Sequence, residues 1–343
     1  MFIGFYQYDR ELGFKVRSYA NGSNRFGFND EDYSLIKPEG IVRILIVGDS
    51  FGWAGGKDGN YTALLEKKFE EYYGTHRVDI INAGYPMTHT DEQLEMLKKY
   101  GLQYQPDMVF LGFFAGNDFV DADPYRKRIV VNDTYYDIDR RCEKIFLGYP
   151  IIGKSRVWTF VKQKLVVWNE LNKARTQQDA QTQQTNKEKG TCTFSEEAFL
   201  YIERARLELC NIRKRTYQKN IDFILRSLSQ MQELLARNKI RFAVGIYPDE
   251  FQVDENLRVQ IYKNFGLEQD DYDIEFMQNV LSRHLKAKRI PYLDLLDTFR
   301  SRGKFEPLYL CRDTHWNQAG NELAANTIFQ YLLPQVESVI QDK

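Results

Sequence analysis

The sequence places a hydroxyl, a carboxylate and an imidazole where they could together carry out nucleophilic catalysis. Ser50 closes Gly48-Asp49-Ser50, directly after the apolar run 44–47, while Asp313 and His315 lie together near the C-terminus. A serine hydroxyl is a weak nucleophile until a base takes its proton, and an unperturbed imidazole titrates near neutrality. Asp313, two residues before His315, is close enough in an extended loop to hold the ring and stabilise the imidazolium. The pattern predicts acyl chemistry with Ser50 as the nucleophile.

Two other short motifs offer donors for the oxyanion that such chemistry creates. Gly84 ends the run Asn82-Ala83-Gly84, and Asn117 lies in Gly116-Asn117-Asp118. The Gly84 N–H can be approached closely because glycine has no Cβ, and the Asn117 amide is a donor that does not titrate. Each such donor is typically worth about 10²–10³ in rate.

Alternating strands and helices are needed to bring these motifs together. Short apolar runs predict buried strands, and stripes with helical spacing predict helices between them. Strands and helices that alternate at this spacing imply right-handed βαβ units in an α/β fold. The predicted fold is a flavodoxin-like, three-layer α/β/α sandwich around a mostly parallel five-stranded sheet. Ligands bind at the carboxyl ends of such strands, where all these motifs fall. The predicted strands are 43–48, 78–81, 108–114, 241–247 and 291–293, and the helices are 61–73, 90–101, about 195–238 with an interruption, one around 274–285, and 317–333.

The pattern divides the chain into three parts. Residues 1–40 read as an irregular arm packed on the core, and residues 41–118 and 216–343 form the catalytic α/β domain. Residues 119–215 read as an inserted, mainly helical cap subdomain with a hairpin over 129–138 and a mobile segment over 176–190. Its aromatic residues either line a sugar-binding cleft or form that subdomain's own core. They are Tyr125, Tyr135, Tyr136, Phe146, Tyr149, Trp158, Phe160 and Trp168.

Composition narrows the class of protein. A formal net charge of -1 gives no electrostatic case for nucleic acid as a partner. The four cysteines lack metal-ligand spacing and are expected to be free thiols; no cofactor or metal is expected. The N-terminus lacks the pattern of a signal peptide, and no stretch is long and apolar enough to span a bilayer. The chain as given is therefore expected to be cytoplasmic, or extracytoplasmic if its N-terminus is truncated.

The motifs resemble the blocks of the SGNH (GDSL-type) hydrolase superfamily, which are centred on Ser, Gly, Asn and His. The resemblance covers roughly residues 40–120 and 240–333 and does not cover the insertion well. It implies that Ser50 is the nucleophile, with its own N–H as an oxyanion donor beside Gly84 and Asn117. It also implies that His315 is the base and Asp313 the orienting acid. The matching blocks are Gly48-Asp49-Ser50, Asn82-Ala83-Gly84, Gly116-Asn117-Asp118 and Asp313-Thr314-His315-Trp316-Asn317.

The last block departs from the usual family pattern. Most of the superfamily has Asp three residues before His, but here Arg312 occupies that position and Asp313 is two before. An Asp-x-His-Trp block resembles the SGNH-like alginate O-acetyltransferases of bacterial polysaccharide modification, in which the block precedes the serine rather than following it. Hydrolysis and acyl transfer therefore both remain open.

The predicted function is a serine-dependent, metal-independent O-acyl ester hydrolase that removes a short acyl group, such as acetyl, from a carbohydrate or small ester. An O-acetyltransferase acting on a polysaccharide is the alternative. Gly48-x-Ser50-x-Gly52 also fits the nucleophile elbow of α/β-hydrolases, but that fold places its elbow after several strands. A flavodoxin-like binding module is disfavoured because the glycines do not form a phosphate-binding motif, and the presence of all four blocks argues against a catalytically dead carbohydrate-binding relative. The oligomeric state is not predicted.

Overall fold

A computed structural model describes residues 5–131, 134–139, 145–146, 149–150, 192–214 and 216–342. Its strands are β1 Tyr6–Asp9, β2 Gly13–Val16, β3 Val42–Gly48, β4 Val78–Gly84, β5 Met108–Phe114, β6 Arg126–Val131, β7 Thr134–Asp139, β8 Ile145–Phe146, β9 Tyr149–Pro150, β10 Arg241–Tyr247 and β11 Tyr292–Asp294. Its α-helices are α1 Gly56–Gly59, α2 Tyr61–Tyr73, α3 Thr90–Lys99, α4 Glu196–Leu207, α5 Gln218–Arg237, α6 Glu250–Val253, α7 Glu255–Phe265, α8 Phe276–Lys288, α9 Leu296–Gly303 and α10 Gln318–Gln341.

A five-stranded parallel sheet forms the centre of the molecule, in the order β11-β10-β5-β3-β4. Strands β3, β4 and β5 are buried along their whole length, as expected of apolar runs that are covered on both faces. Strand order reverses between β3 and β5, which is where open α/β sheets bind ligands. Gly48 pairs with Gly84 in the β3–β4 register, so these two motifs end at the same level of the sheet. The predicted fold class is confirmed.

Two hydrophobic clusters cover the two faces of the sheet. Leu45 and Val47 of β3 join the cluster that includes residues of α3, α5 and α8, whereas Ile44 and Ile46 join the cluster that includes residues of α2, α9 and α10. The alternation follows the two-residue period of a strand. Helix α10 also touches the start of α2, where the Asn321 side-chain oxygen accepts a hydrogen bond from the Tyr61 N–H at 2.9 Å.

Residues near the N-terminus pack on the core. Strands β1 and β2 form an antiparallel pair, and Phe5, Leu12, Val16 and Phe28 are buried in the first of the two clusters. The arm therefore contributes core residues.

Helix α10 differs from its predicted form. The sequence predicts its end at about residue 333, and the next residue, Pro334, lacks the N–H that continues a helix. The structure continues the helix to Gln341, with Pro334 inside it. Val336 and Val339, beyond the proline, are buried with Leu332 in the second cluster, and this burial favours the extra turns.

Only part of the insertion can be compared with its prediction. The hairpin is confirmed as the antiparallel pair β6–β7, and Ser195 caps α4 by accepting from the Ala198 N–H at 3.2 Å. Residues 151–191, which include Trp158, Phe160, Trp168 and the segment 176–190, lie outside the described residues. The mainly helical character of the insertion and the domain boundaries stay predictions.

The free-thiol prediction is wrong for two cysteines. Cys192 and Cys311 form a disulfide across a sequence separation of 119 residues, with their Cα atoms 4.7 Å apart. Spacing along the chain could not indicate this pair, because folding brings the end of the insertion back to the loop before α10. Cys210 is a buried free thiol, and Cys142 lies outside the described residues.

Candidate active site

Ser50, His315 and Asp313 meet at the carboxyl edge of the sheet. The His315 Nε2 atom lies 2.7 Å from the Ser50 Oγ, and its Nδ1 atom lies 2.6 Å from an Asp313 carboxylate oxygen. Residues that are 265 positions apart in sequence are thus in direct hydrogen-bond contact. The order hydroxyl, imidazole, carboxylate is the one needed to move a proton from the serine to the ring.

The turn that carries Ser50 is fixed by its neighbours. Asp49 caps it by accepting from the Phe51 N–H at 3.1 Å. The Gly52 carbonyl accepts from two buried amides, Asn82 Nδ2 at 2.7 Å and Asn29 Nδ2 at 3.0 Å. Asn29 belongs to the N-terminal arm, so the arm supports the serine turn. The sequence gives no signal for the role of Asn29 and indicates Asn82 only as part of a block, because neither motif shows which backbone group its amide reaches.

Aromatic side chains pack around the His315 ring. The Phe51 ring centre lies 5.3 Å from the His315 ring and 4.6 Å from the Trp316 ring. Phe114, at the end of β5, contacts Phe51 at 4.7 Å. Such packing restricts the imidazole to few orientations.

The loop that carries Asp313 and His315 is attached to the end of the insertion. The Thr193 N–H donates to the Cys311 carbonyl at 3.1 Å, next to the disulfide. The Thr193 side chain also hydrogen-bonds the Asp313 carboxylate, and the His315 N–H donates to the same carboxylate at 3.1 Å. Burial alone would raise the pKa of Asp313, but the His315 ring and these donors outweigh it and lower the pKa to about 2. Asp313 is therefore an anion at neutral pH, as an orienting acid must be.

This lowered pKa predicts how stability depends on pH. Asp313 ionises more readily in the folded chain than at its ordinary pKa of 3.8, so its ionisation stabilises the fold above about pH 4. That contribution is lost as the pH falls from about 4 to about 2. We expect Asp313→Asn to have a lower melting temperature than the wild type at pH 7, and the difference to shrink towards pH 2. Asp58→Asn, at an exposed position, is the control. A difference that stayed constant across this range would contradict the assignment.

Besides the Ser50 N–H, the sequence predicts two oxyanion donors, Gly84 and Asn117, and they are placed differently. The Gly84 N–H donates to the Asn82 side-chain oxygen at 3.1 Å, so a bound oxyanion would share or replace this bond. A Cβ at Gly84 would lie 2.9 Å from the Asp49 carbonyl oxygen, which explains why glycine is needed there. Asn117 is half-buried just beyond β5, and its side-chain oxygen has no hydrogen-bond partner among the described residues.

Two buried carboxyls lie behind the serine turn. Burial raises the pKa of Asp49 to about 6, although the Phe51 N–H and the nearby His315 and Arg206 lower it in part. Burial, followed by the proximity of Asp49, raises the pKa of Asp118 well above its ordinary value. One Asp118 carboxyl oxygen accepts from the Phe114 N–H at 2.9 Å.

One group of described residues has the spacing of a metal site. Glu66, His76 and Asp79 bring their ligand atoms within 4.8 Å of one another. Asp79 also pairs with the buried Arg43 at 2.8 Å. It lies near the amino end of β4, five residues before Gly84, which is about 17 Å along a strand. The group is thus an ion-pair network away from Ser50.

The comparisons with known proteins concern the second half of the chain most directly. Residues 210–342 match the family model described as the SGNH hydrolase-like domain of the acetyltransferase AlgX. This match confirms the SGNH resemblance over the part that carries Asp313 and His315; Ser50, Gly84 and Asn117 lie outside it. None of the curated proteins matches the sequence.

Solved structures of three esterases and lipases align with most of the chain at low similarity. The acetyl xylan esterase AlAXEase is 14% identical, covers 85% of this chain and 100% of its own, and gives a TM-score of 0.46. The lipase/acylhydrolase from Enterococcus faecalis is 14% identical, with coverages of 86% and 97% and a TM-score of 0.45. A catalytic mutant of the acetylxylan esterase Axe2 from Geobacillus stearothermophilus is 10% identical, with coverages of 86% and 95% and a TM-score of 0.45.

Proposed function

We propose that this chain is a serine-dependent hydrolase of O-acyl esters, with a short acyl group such as acetyl on a carbohydrate or small ester as its substrate. The observation that carries the proposal is the contact of the His315 Nε2 atom with the Ser50 Oγ at 2.7 Å. Asp313 holds the other ring nitrogen at 2.6 Å. A serine that is hydrogen-bonded to an oriented imidazole is prepared for nucleophilic attack.

The proposed mechanism has two stages. Ser50 Oγ attacks the ester carbonyl while its proton moves to the Nε2 atom of His315, and Asp313 stabilises the imidazolium that forms. The imidazolium then gives the proton to the departing alcohol, leaving an acyl-serine. In hydrolysis, water attacks this intermediate with His315 again as the base; the bond between the acyl carbon and the Ser50 Oγ breaks, His315 returns the proton to the Oγ, and the carboxylic acid leaves. The Ser50 N–H, the Gly84 N–H and the Asn117 side chain would hold the oxyanion in both stages.

Removing the Asn117 amide tests the oxyanion assignment. We expect Asn117→Ala to lower kcat by about 10²–10³, with a small change in KM, because the amide acts on charge that develops only in the transition state. Steady-state kinetics on p-nitrophenyl acetate would measure this. Asn220→Ala is a suitable control, since its partly buried amide donates to the Val120 carbonyl instead. An unchanged kcat in Asn117→Ala would remove Asn117 from the mechanism.

The function itself is tested by turnover of p-nitrophenyl acetate by the purified chain, with and without EDTA. We expect turnover that EDTA does not reduce. Loss of activity with EDTA, restored by added metal, would contradict the metal-independent mechanism. If no turnover were seen and a serine-directed phosphonate failed to label Ser50, the proposed function would be wrong.

Acyl transfer to a polysaccharide is the second candidate, because the matching family model is named for an acetyltransferase. Both reactions share the acyl-serine and differ in the acceptor. Incubation with an acetyl donor and oligosaccharide acceptors, followed by mass spectrometry, distinguishes them. Acetylated oligosaccharide formed faster than free acetate would favour transfer, and free acetate alone would favour hydrolysis.

The disulfide gives information about the cellular compartment of the protein. Disulfides persist in oxidising compartments and are rare in the cytosol. Among the described residues, no helix has the length and apolar character needed to cross a bilayer. We therefore infer an oxidising, extracytoplasmic compartment for the folded chain in place of the cytoplasm.

A further inference from the structure

Helix α4 carries buried charges that have no role in the mechanism above. Its Arg206 Nη1 atom lies 3.1 Å from Glu203 of the same helix and 3.6 Å from Asp249, which follows β10. The side chains of Glu203 and Asp249 are 0% exposed, and that of Arg206 is 14% exposed. Charges this deep are found in proteins only when they are compensated.

The two carboxyls of this group of three lie close to a single positive charge, that of Arg206. Burial raises the pKa of Glu203 well above its ordinary value, and the proximity of Asp249 raises it further. Burial also raises the pKa of Asp249, and the nearby Arg206 lowers it in part. Arg206 supplies the single positive charge that compensates Asp249.

Asp249 and Arg206 also touch the segment that presents Asn117. A Cβ at Gly116 would lie only 2.0 Å from an Asp249 carboxylate oxygen, so Asp249 packs directly against the Gly116 backbone. The Arg206 guanidinium lies over the Phe114 ring, 5.2 Å from its centre. The Arg206–Asp249 pair thus contacts this segment at two places. Arg206 contacts Phe114, and Asp249 contacts Gly116, the residue immediately before Asn117.

We propose that Arg206 is a positioning residue for Asn117. By compensating Asp249, it keeps that carboxylate packed under Gly116 and thereby fixes the place from which the Asn117 amide reaches the oxyanion. This inference rests on the proposed function. It means that a residue of the insertion, Arg206, helps to position a catalytic group. A displacement of about 1 Å in a catalytic group can cost about 10²-fold in rate, so even a small shift of this segment would be measurable.

A double-mutant cycle separates positioning from a purely structural role. If Arg206 acts through Asn117, Arg206→Met should lower kcat about 10- to 100-fold when Asn117 is present. In the Asn117→Ala background, the same substitution should lower kcat less than about 3-fold. Such non-additivity indicates that the two residues are coupled. Arg204→Met is the matched control, since Arg204 lies on the same helix with its guanidinium over Phe265. We expect it to leave kcat unchanged. Equal losses in both backgrounds, or a lower melting temperature with unchanged kcat, would overturn the proposal.

Two further variants keep the test decisive if Arg206→Met does not fold. Arg206→Met combined with Asp249→Asn removes both opposite charges and should fold. Because this double variant loses the ionic contact under Gly116, we expect it to have a lower kcat than the wild type. Adding Asn117→Ala to it should lower kcat little further. Arg206→Lys keeps the charge and should retain most of kcat. Full activity in the double variant would overturn the proposal. A wild type without turnover or phosphonate labelling would instead mean that the proposed function has failed.

Discussion

Replacing Ser50 with alanine is expected to lower turnover of p-nitrophenyl acetate by at least about 10⁴-fold, because the variant lacks the atom that forms the acyl intermediate. Substrate binding should change little, since the substitution removes a single oxygen at the surface of the turn. The measurement is the steady-state rate with wild type and Ser50→Ala at equal concentration. Labelling by a serine-directed phosphonate, followed by peptide mass spectrometry, should modify Ser50 in the wild type.

Ser282→Ala is the matched control for this prediction. Ser282 is a half-buried serine on α8, and its hydroxyl donates to the Asn279 carbonyl of the same helix. We expect the turnover by Ser282→Ala and its labelling by the phosphonate to equal those of the wild type. Activity retained by Ser50→Ala would assign the chemistry to another nucleophile and would remove the basis of the mechanism.

Loss of the Cys192–Cys311 disulfide is expected to have the largest effect on stability. In the chain-entropy description, closing a loop of this length stabilises the fold by about 4–5 kcal/mol. Activity should fall as well, because Thr193, beside Cys192, hydrogen-bonds the Asp313 carboxylate. Thermal unfolding and turnover should be compared for the wild type with and without dithiothreitol.

The double variant Cys192→Ser, Cys311→Ser provides the control for the reductant. It should resemble the reduced wild type, and dithiothreitol should have no further effect on it. Cys210 is buried, and burial raises the pKa of its thiol, so it should not react. A reduced wild type with unchanged stability and turnover would show that the loop carrying Asp313 holds its position without the bond.

The sheet and the position of Ser50 at its edge could be predicted because their signals are local. Unbroken apolar runs such as 108–114 can be buried only as central strands, and the pattern of strand and helix fixes which strand ends lie together. Ser50, Asp313 and His315 could therefore be placed at one edge before any coordinates were known. The end of α10 was misplaced because the local signal of Pro334 was outweighed by the burial of Val336 and Val339, which depends on tertiary packing.

The supports of the site could not be predicted in this way. Arg206 and Asp249 are 43 positions apart and meet only because α4 crosses to the end of β10. In the sequence, each is one charged residue among many, and a charge on a helix is usually solvated. Asn29 is equally inconspicuous in an irregular arm. Their contacts follow from three-dimensional packing, for which sequence spacing gives no signal.

The covalent link between Cys192 and Cys311 also sets when the protein can become active during its synthesis. A chain is made from its N-terminus, so Ser50 and Asn29 are synthesised before His315. Cys192 must likewise wait for Cys311 and for an oxidant. If the proposed mechanism holds, the growing chain carries a serine with no base, and acyl chemistry begins only after the C-terminal segment has docked.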